Sequence, residues 1–156
     1  MQHSILNEQM IIFFETKQNT IIAVDSIERQ SEKDLKKLIW LFDEAKKTDE
    51  DFVEGHFFGP RREMITPWST NAVEITQNMG IKGIKRIEEF TRVAHDDNSY
   101  DPMLQSKYDI LDQKVFFINR KPEPIQHITD IEDYNRKEGL ALSEEEISYL
   151  QEVSTK

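Results

Sequence analysis

Two apolar runs near the start of the chain, Met10-Ile11-Ile12-Phe13-Phe14 and Thr20-Ile21-Ile22-Ala23-Val24, constrain its fold more than anything else in it. Both are rich in β-branched or aromatic residues, and the polar stretch Thr16-Lys17-Gln18-Asn19 between them is turn-like. That combination predicts a β-hairpin. Phe52-Val53 and Phe57-Phe58 flank Gly55, a pattern that fits a further strand containing a bulge. Ile81, Ile84, Ile87 and Phe90 recur every third residue, which matches neither strand alternation nor a helix; Gly83 and the short length favour a strand.

Helical segments alternate with these strands. Ser31 is a candidate N-cap with Asp34 at N3. Leu35, Leu38, Ile39, Phe42 and Ala45 then repeat at helical spacing, Trp40 and Leu41 either widen that face or lie against something else, and the helix is expected to stop near Lys47-Thr48. Thr66-Pro67 supplies a cap followed by proline at N1. Trp68, Ala72, Ile75 and Met79 would share one face, and Gly80 suits the C′ position. Asp101-Pro102 repeats the cap-then-proline signal ahead of Leu104, Tyr108, Leu111 and Val115, which predicts a third helix. Val115–Ile118 is expected as a strand and Asn119–Pro124 as a loop. Near the end, Thr129 with Glu132 and Ser143 with Glu146 form capping-box patterns on either side of Gly139.

The expected fold class is therefore α+β: an antiparallel sheet with two long helices on one face over residues 1–124, followed by short helices over 125–156. Ile147, Leu150 and Val153 on the second short helix need a partner surface, such as a second copy of the chain. The length of 156 residues suits one domain and the start of another. No run approaches the length of a membrane span, and no signal peptide opens the chain. Cysteine is absent, which removes disulfides, thiolate metal sites and a thiol nucleophile, and fits the cytoplasm. A net charge of −10 argues against nucleic acid or an anionic membrane as partner.

Chemistry-bearing motifs are sparse. His3, His56, His95 and His127 show no metal-ligand spacing, so no metal site is expected. Phosphate-loop, dinucleotide and nucleophile-elbow patterns are absent. The pairs Glu88-Glu89 and Glu144-Glu145-Glu146 read as solvated faces. The acidic chain does keep one mildly basic stretch: residues 59–92 hold 6 Lys/Arg against 4 Asp/Glu. Within it, a strand would end at Gly59-Pro60, Arg61 and Arg62 follow in the connection, and Thr66, Ser69 and Thr70 fall at the start of the next helix. Free N–H groups, hydroxyls and arginine together suit a phosphate or carboxylate. Thr66 is equally a plain cap, Ser69 and Thr70 plain first-turn residues, and Trp68 a packing residue.

That stretch resembles the N-terminal region of large, single-chain phosphoribosylformylglycinamidine synthase (FGAM synthase). The matching residues are Gly59-Pro60-Arg61, Thr66-Pro67-Trp68-Ser69-Thr70-Asn71-Ala72, Ile75 with Asn78-Met79-Gly80-Ile81, and Ile84 with Arg86-Ile87-Glu88. A second match, Gly139 to Ile147 with Tyr149-Leu150, is similar to the opening of the family's helical linker domain. The resemblance covers roughly residues 10–156. It implies a domain like a doubled S subunit, in an enzyme that uses ATP, magnesium and glutamine to amidate formylglycinamide ribonucleotide in purine biosynthesis. It further implies synthetase and glutaminase domains as partners in the same polypeptide, so that this chain is expected to be a piece of a longer protein, without catalytic residues or a cofactor of its own. Arg61, Thr66, Ser69 and Thr70 become the candidates for substrate contact. The competing expectation is a stand-alone small-ligand or regulatory α+β module.

Overall fold

A computed structural model of the chain describes residues 9–119 and 121–154. His3 and the rest of the polar opening segment 1–8 lie outside them. The chain packs as two compact units, 1–119 and 120–156. The expected division at 124/125 falls in the irregular stretch that precedes the third helix.

The first unit is α+β. Its elements run β1 (Met10–Glu15), β2 (Thr20–Ser26), α1 (Glu32–Leu41), β3 (Lys46–Lys47), β4 (Val53–Pro60), α2 (Pro67–Asn78), β5 (Ile84–Val93) and β6 (Gln105–Leu111). The six strands form one sheet in the order β3-β1-β2-β5-β4-β6, every pairing antiparallel. The expected hairpin is β1–β2, turned by Asn19 at a φ of 62°. Successive side chains of β1 enter opposite clusters. Ile12 and Phe14 join Ile22, Val24, Leu38, Phe42 and Ala72. Ile11 and Phe13 join Ile21, Val53, Phe57, Phe90, Tyr108 and Leu111.

Two bulges explain patterns that look irregular in the sequence. Asp25 pairs with Arg86 but Ser26 pairs with Ile84, so Lys85 is an extra residue in β5. The bulge shifts the strand's alternation, placing Ile84 and Ile87 in the first cluster while Phe90 lies in the second. A strand covered on both sides, with a bulge, yields the apolar residue at every third position. In β4, Phe57 pairs with Tyr108 and Glu54 with Ile110, so Gly55 and His56 together oppose Asp109. This is the bulge expected at Gly55, whose φ is 130°.

The sheet curls far enough for its far end to reach back to its beginning. Gln113, just beyond β6, accepts from the backbone N–H of Ile11 at 2.7 Å and donates to its carbonyl at 2.8 Å. A side-chain amide thus takes the place of a neighbouring strand on β1. The hydroxyl and backbone N–H of Thr48 cover the Phe13 carbonyl next to it.

Several expectations need correction. Helix α1 begins as expected at Ser31, whose side chain accepts from the N–H of Asp34, but it ends at Leu41 rather than near Lys47. Asp43 and Glu44 then take positive φ and turn the chain into β3. Helix α2 has Thr66 as N-cap and Gly80 beyond its end, as expected. Its buried face is Ser69, Ala72 and Thr76, however, and Trp68 and Ile75 are exposed, so the packing role expected of Trp68 fails. The helix expected after Asp101-Pro102 is absent. Asp101-Pro102 opens a turn, with the carboxylate of Asp101 accepting from the N–H of Met103, and the chain then extends as β6. The expected strand at 115–118 is a turn, with Phe117 and Ile118 exposed.

The second unit contains α3 (Ile131–Glu138) and α4 (Glu144–Val153). Asp130, not Thr129, caps α3. Gly139 closes it in the left-handed conformation at a φ of 64°. Ser143 and Glu146 form both bonds of a capping box on α4. No residue of either helix is buried. No helix among the described residues is long and apolar enough to cross a membrane.

Candidate functional site

Strands β4 and β5 pair only at Phe58–His56 against Thr91–Val93, and then part. The segment 61–69 fills the split, and three hydrogen-bonding groups join it to β5. The guanidinium of Arg86 donates to the carbonyls of Arg62 at 2.6 Å, Met64 at 2.8 Å and Arg61 at 3.2 Å. The carboxylate of Glu88 accepts from the N–H of Thr66 at 3.1 Å and from its hydroxyl at 2.7 Å. The hydroxyl of Ser69 accepts the backbone N–H of Ile87 at 3.0 Å, a bond that β4 would otherwise supply.

Arg86 and Glu88 face each other at 3.1 Å and are only 5 % and 1 % exposed. Glu88 is thus the reverse of the solvated carboxylate expected from the sequence. Burying one ion costs several kcal/mol unless its hydrogen bonds are made, and here each partner is bonded both to the other and to the segment 61–66. The sequence signal was present: Arg86 and Glu88 are two residues apart on a strand, hence on one face. Charge alone cannot say that the face is buried.

The arrangement assigns the four candidate residues differently. Thr66 and Ser69 turn their hydroxyls inward, to Glu88 and to the backbone of β5. The positive end of α2 faces a carboxylate supplied by the chain itself, so the charge expected to attract an external anion is already compensated. Thr70 is exposed, and its hydroxyl reaches only the Thr66 carbonyl at 3.4 Å. The Arg61 side chain is about a third exposed; it donates to the Met103 carbonyl at 3.4 Å and lies 3.8 Å from Glu63. Thr66, Ser69 and Thr70 therefore share the first turn of α2, and no hydrogen bond or ion pair among the described residues links Arg61 to them.

Around this plug, Arg62 donates to the Val115 carbonyl and its guanidinium lies 5.0 Å from the Tyr108 ring centroid. Tyr108 donates its hydroxyl to the Pro60 carbonyl at 2.6 Å, and burial pushes its pKa up. The loop after β4 is thus held from below by Tyr108 and from within by Arg86. It offers to solvent the exposed residues Arg62, Glu63, Ile65, Trp68 and Thr70 and the partly exposed Arg61.

The same stretch lies at the centre of the comparison with known proteins. Residues 19–116, more than half of the chain, match the family model described as formylglycinamide ribonucleotide amidotransferase N-terminal. The match spans β2 through β6 and contains the whole plug, from Gly59 to Glu88. The chain belongs to this family, the N-terminal region of FGAM synthase.

Proposed function

We propose that this chain is the N-terminal portion of an FGAM synthase, which carries out the ATP- and glutamine-dependent amidation of formylglycinamide ribonucleotide. In this reading the unit 1–124 works as a doubled S-subunit-like domain that shapes the substrate side and the ammonia route. Residues 125–156 begin the helical linker, and the synthetase and glutaminase domains follow in the same polypeptide. The family match over residues 19–116 carries the reading. The absence of cysteine fits a cytoplasmic enzyme. In this reading ATP and magnesium are bound by the rest of the enzyme.

Within this function Arg61 and Thr70 are the outward-facing candidates for substrate contact, and Thr66 and Ser69 hold the segment in place. The test is Arg61→Ala in the full-length enzyme. A charge-assisted contact to the ribonucleotide is worth about 1.5–3 kcal/mol, or roughly ten- to hundredfold in affinity. The expected result is weaker formylglycinamide ribonucleotide binding with an unchanged melting temperature and intact glutamine hydrolysis. Unchanged substrate affinity in the folded variant would reduce Arg61 to its surface pairing with Glu63, worth about 0–1 kcal/mol. The isolated chain should neither hydrolyse ATP nor turn over glutamine, since it has no thiol to attack the amide. A rate abolished by a point substitution within it would overturn that.

A further inference from the structure

His56 and His95 stand 39 positions apart in the chain, yet the fold brings their rings together. The bulge in β4 sets His56 opposite Asp109 of β6, and Nδ1 of His56 lies 3.0 Å from Oδ1 of Asp109. A carboxylate only accepts, so Nδ1 of His56 carries a proton, and in the neutral ring Nε2 then presents its lone pair. Val93 pairs with His56 across the sheet, and two residues later His95 folds over it. Nδ1 of His95 lies 3.1 Å from Nε2 of His56, with the ring centroids 4.6 Å apart and the planes inclined by 54°. The ammonium of Lys107 holds the loop in place by donating to the carbonyls of His95 and Asp97.

We propose that His56 and His95 form a two-histidine site for a divalent transition-metal ion of the zinc class, with Asp109 as its positioning residue. Two imidazole nitrogens on adjacent positions of such an ion, each about 2.0–2.1 Å from it, stand about 2.9–3.4 Å apart. The observed separation lies inside that range. Without metal, the proton on Nδ1 of His95 bridges the two nitrogens; the cation takes its place, and the proton moves through solvent to Nε2 of His95, so that both rings bind as neutral imidazoles. The Asp109 contact is the arrangement that metal-bound histidines use, a carboxylate accepting from the second ring nitrogen and fixing the tautomer. His56 is partly exposed and His95 exposed, so an ion reaches the pair directly from solvent, the two rings turning so that both lone pairs converge on it. Among the described residues no third His, Asp or Glu joins them in a metal-binding group, so the remaining positions go to water or to an exogenous anion. The metal is therefore exchangeable rather than structural.

The experiment is a zinc chloride titration of the full chain by calorimetry, with the histidine ring signals followed by NMR. All proteins carry His3→Ala, so that the amino-terminal residues do not compete. One zinc ion per chain is expected, shifting the ring signals of His56 and His95 and leaving that of His127 in place. His95→Gln, at an exposed position, removes saturable binding without disturbing the amide spectrum, and His56→Ala does the same if the bulge survives. Asp109→Asn weakens affinity by about 10- to 100-fold. His127→Ala changes nothing. Absence of saturable binding in the parent protein, or a zinc affinity that survives His95→Gln, overturns the proposal.

Discussion

Gly59 passes so close beneath the ring of Phe90 that a β-carbon on it would stand 2.2 Å from Cδ1 of the ring. Its backbone is ordinary for a strand, so the demand for glycine is one of space alone. Phe90 is fully buried, with Tyr108 edge-on against it at 5.2 Å, and cannot move aside cheaply. Gly59→Ala should therefore cost at least about 1–3 kcal/mol, measured as a drop in denaturant midpoint. Phe90→Leu should recover part of that loss, so the double variant is more stable than the sum of the singles predicts. Strict additivity would show that the contact is not the cause. The neighbouring site residues teach a related lesson about legibility. The cap at Thr66 was readable because capping is local. Its second partner, Glu88, and the use of Ser69 by Ile87 were not, because both depend on where β5 meets α2, which no spacing encodes. Trp68 misled for the same reason: the helix buries the small polar face beside it.

The elements that could be read were those whose signals are local. The β1–β2 hairpin, the Ser31 and Ser143 caps and the bulge at Gly55 each rest on a few adjacent residues. Asp101-Pro102 shows the limit, since an acidic residue followed by proline opens a type I turn as readily as a helix. Tyr108 and Leu111 stand at helical spacing yet belong to a strand, and both enter the same cluster. The closure of the sheet by Gln113 was equally invisible, its partner lying 102 positions away. It also yields a test. Gln113→Ala strips both backbone groups of Ile11 of their partner. The expected cost is about 1–3 kcal/mol, with faster amide exchange concentrated at Ile11. Unaltered exchange at Ile11 would mean that water replaces the side chain without loss.

At the scale of the whole molecule, the two units differ in what holds them. The first has two apolar clusters and a buried ion pair; the second has well-formed caps but no buried residue among the described ones. Helices this short are marginal in water without tertiary packing. Amides of α3 and α4 should thus exchange much faster than those of α1 in the monomeric chain. Equally slow exchange in a proven monomer would contradict this; slow exchange that appears only as concentration rises would reveal a second copy covering Ile147, Leu150 and Val153.

The clasp between Gln113 and Ile11 also orders events during synthesis. The hairpin leaves the ribosome about a hundred residues before the side chain that closes its outer edge, and at about 5–20 residues per second that interval lasts roughly 5–20 s. Throughout it the nascent chain exposes an apolar strand with open hydrogen-bonding groups, the kind of edge on which neighbouring chains on a polysome can join.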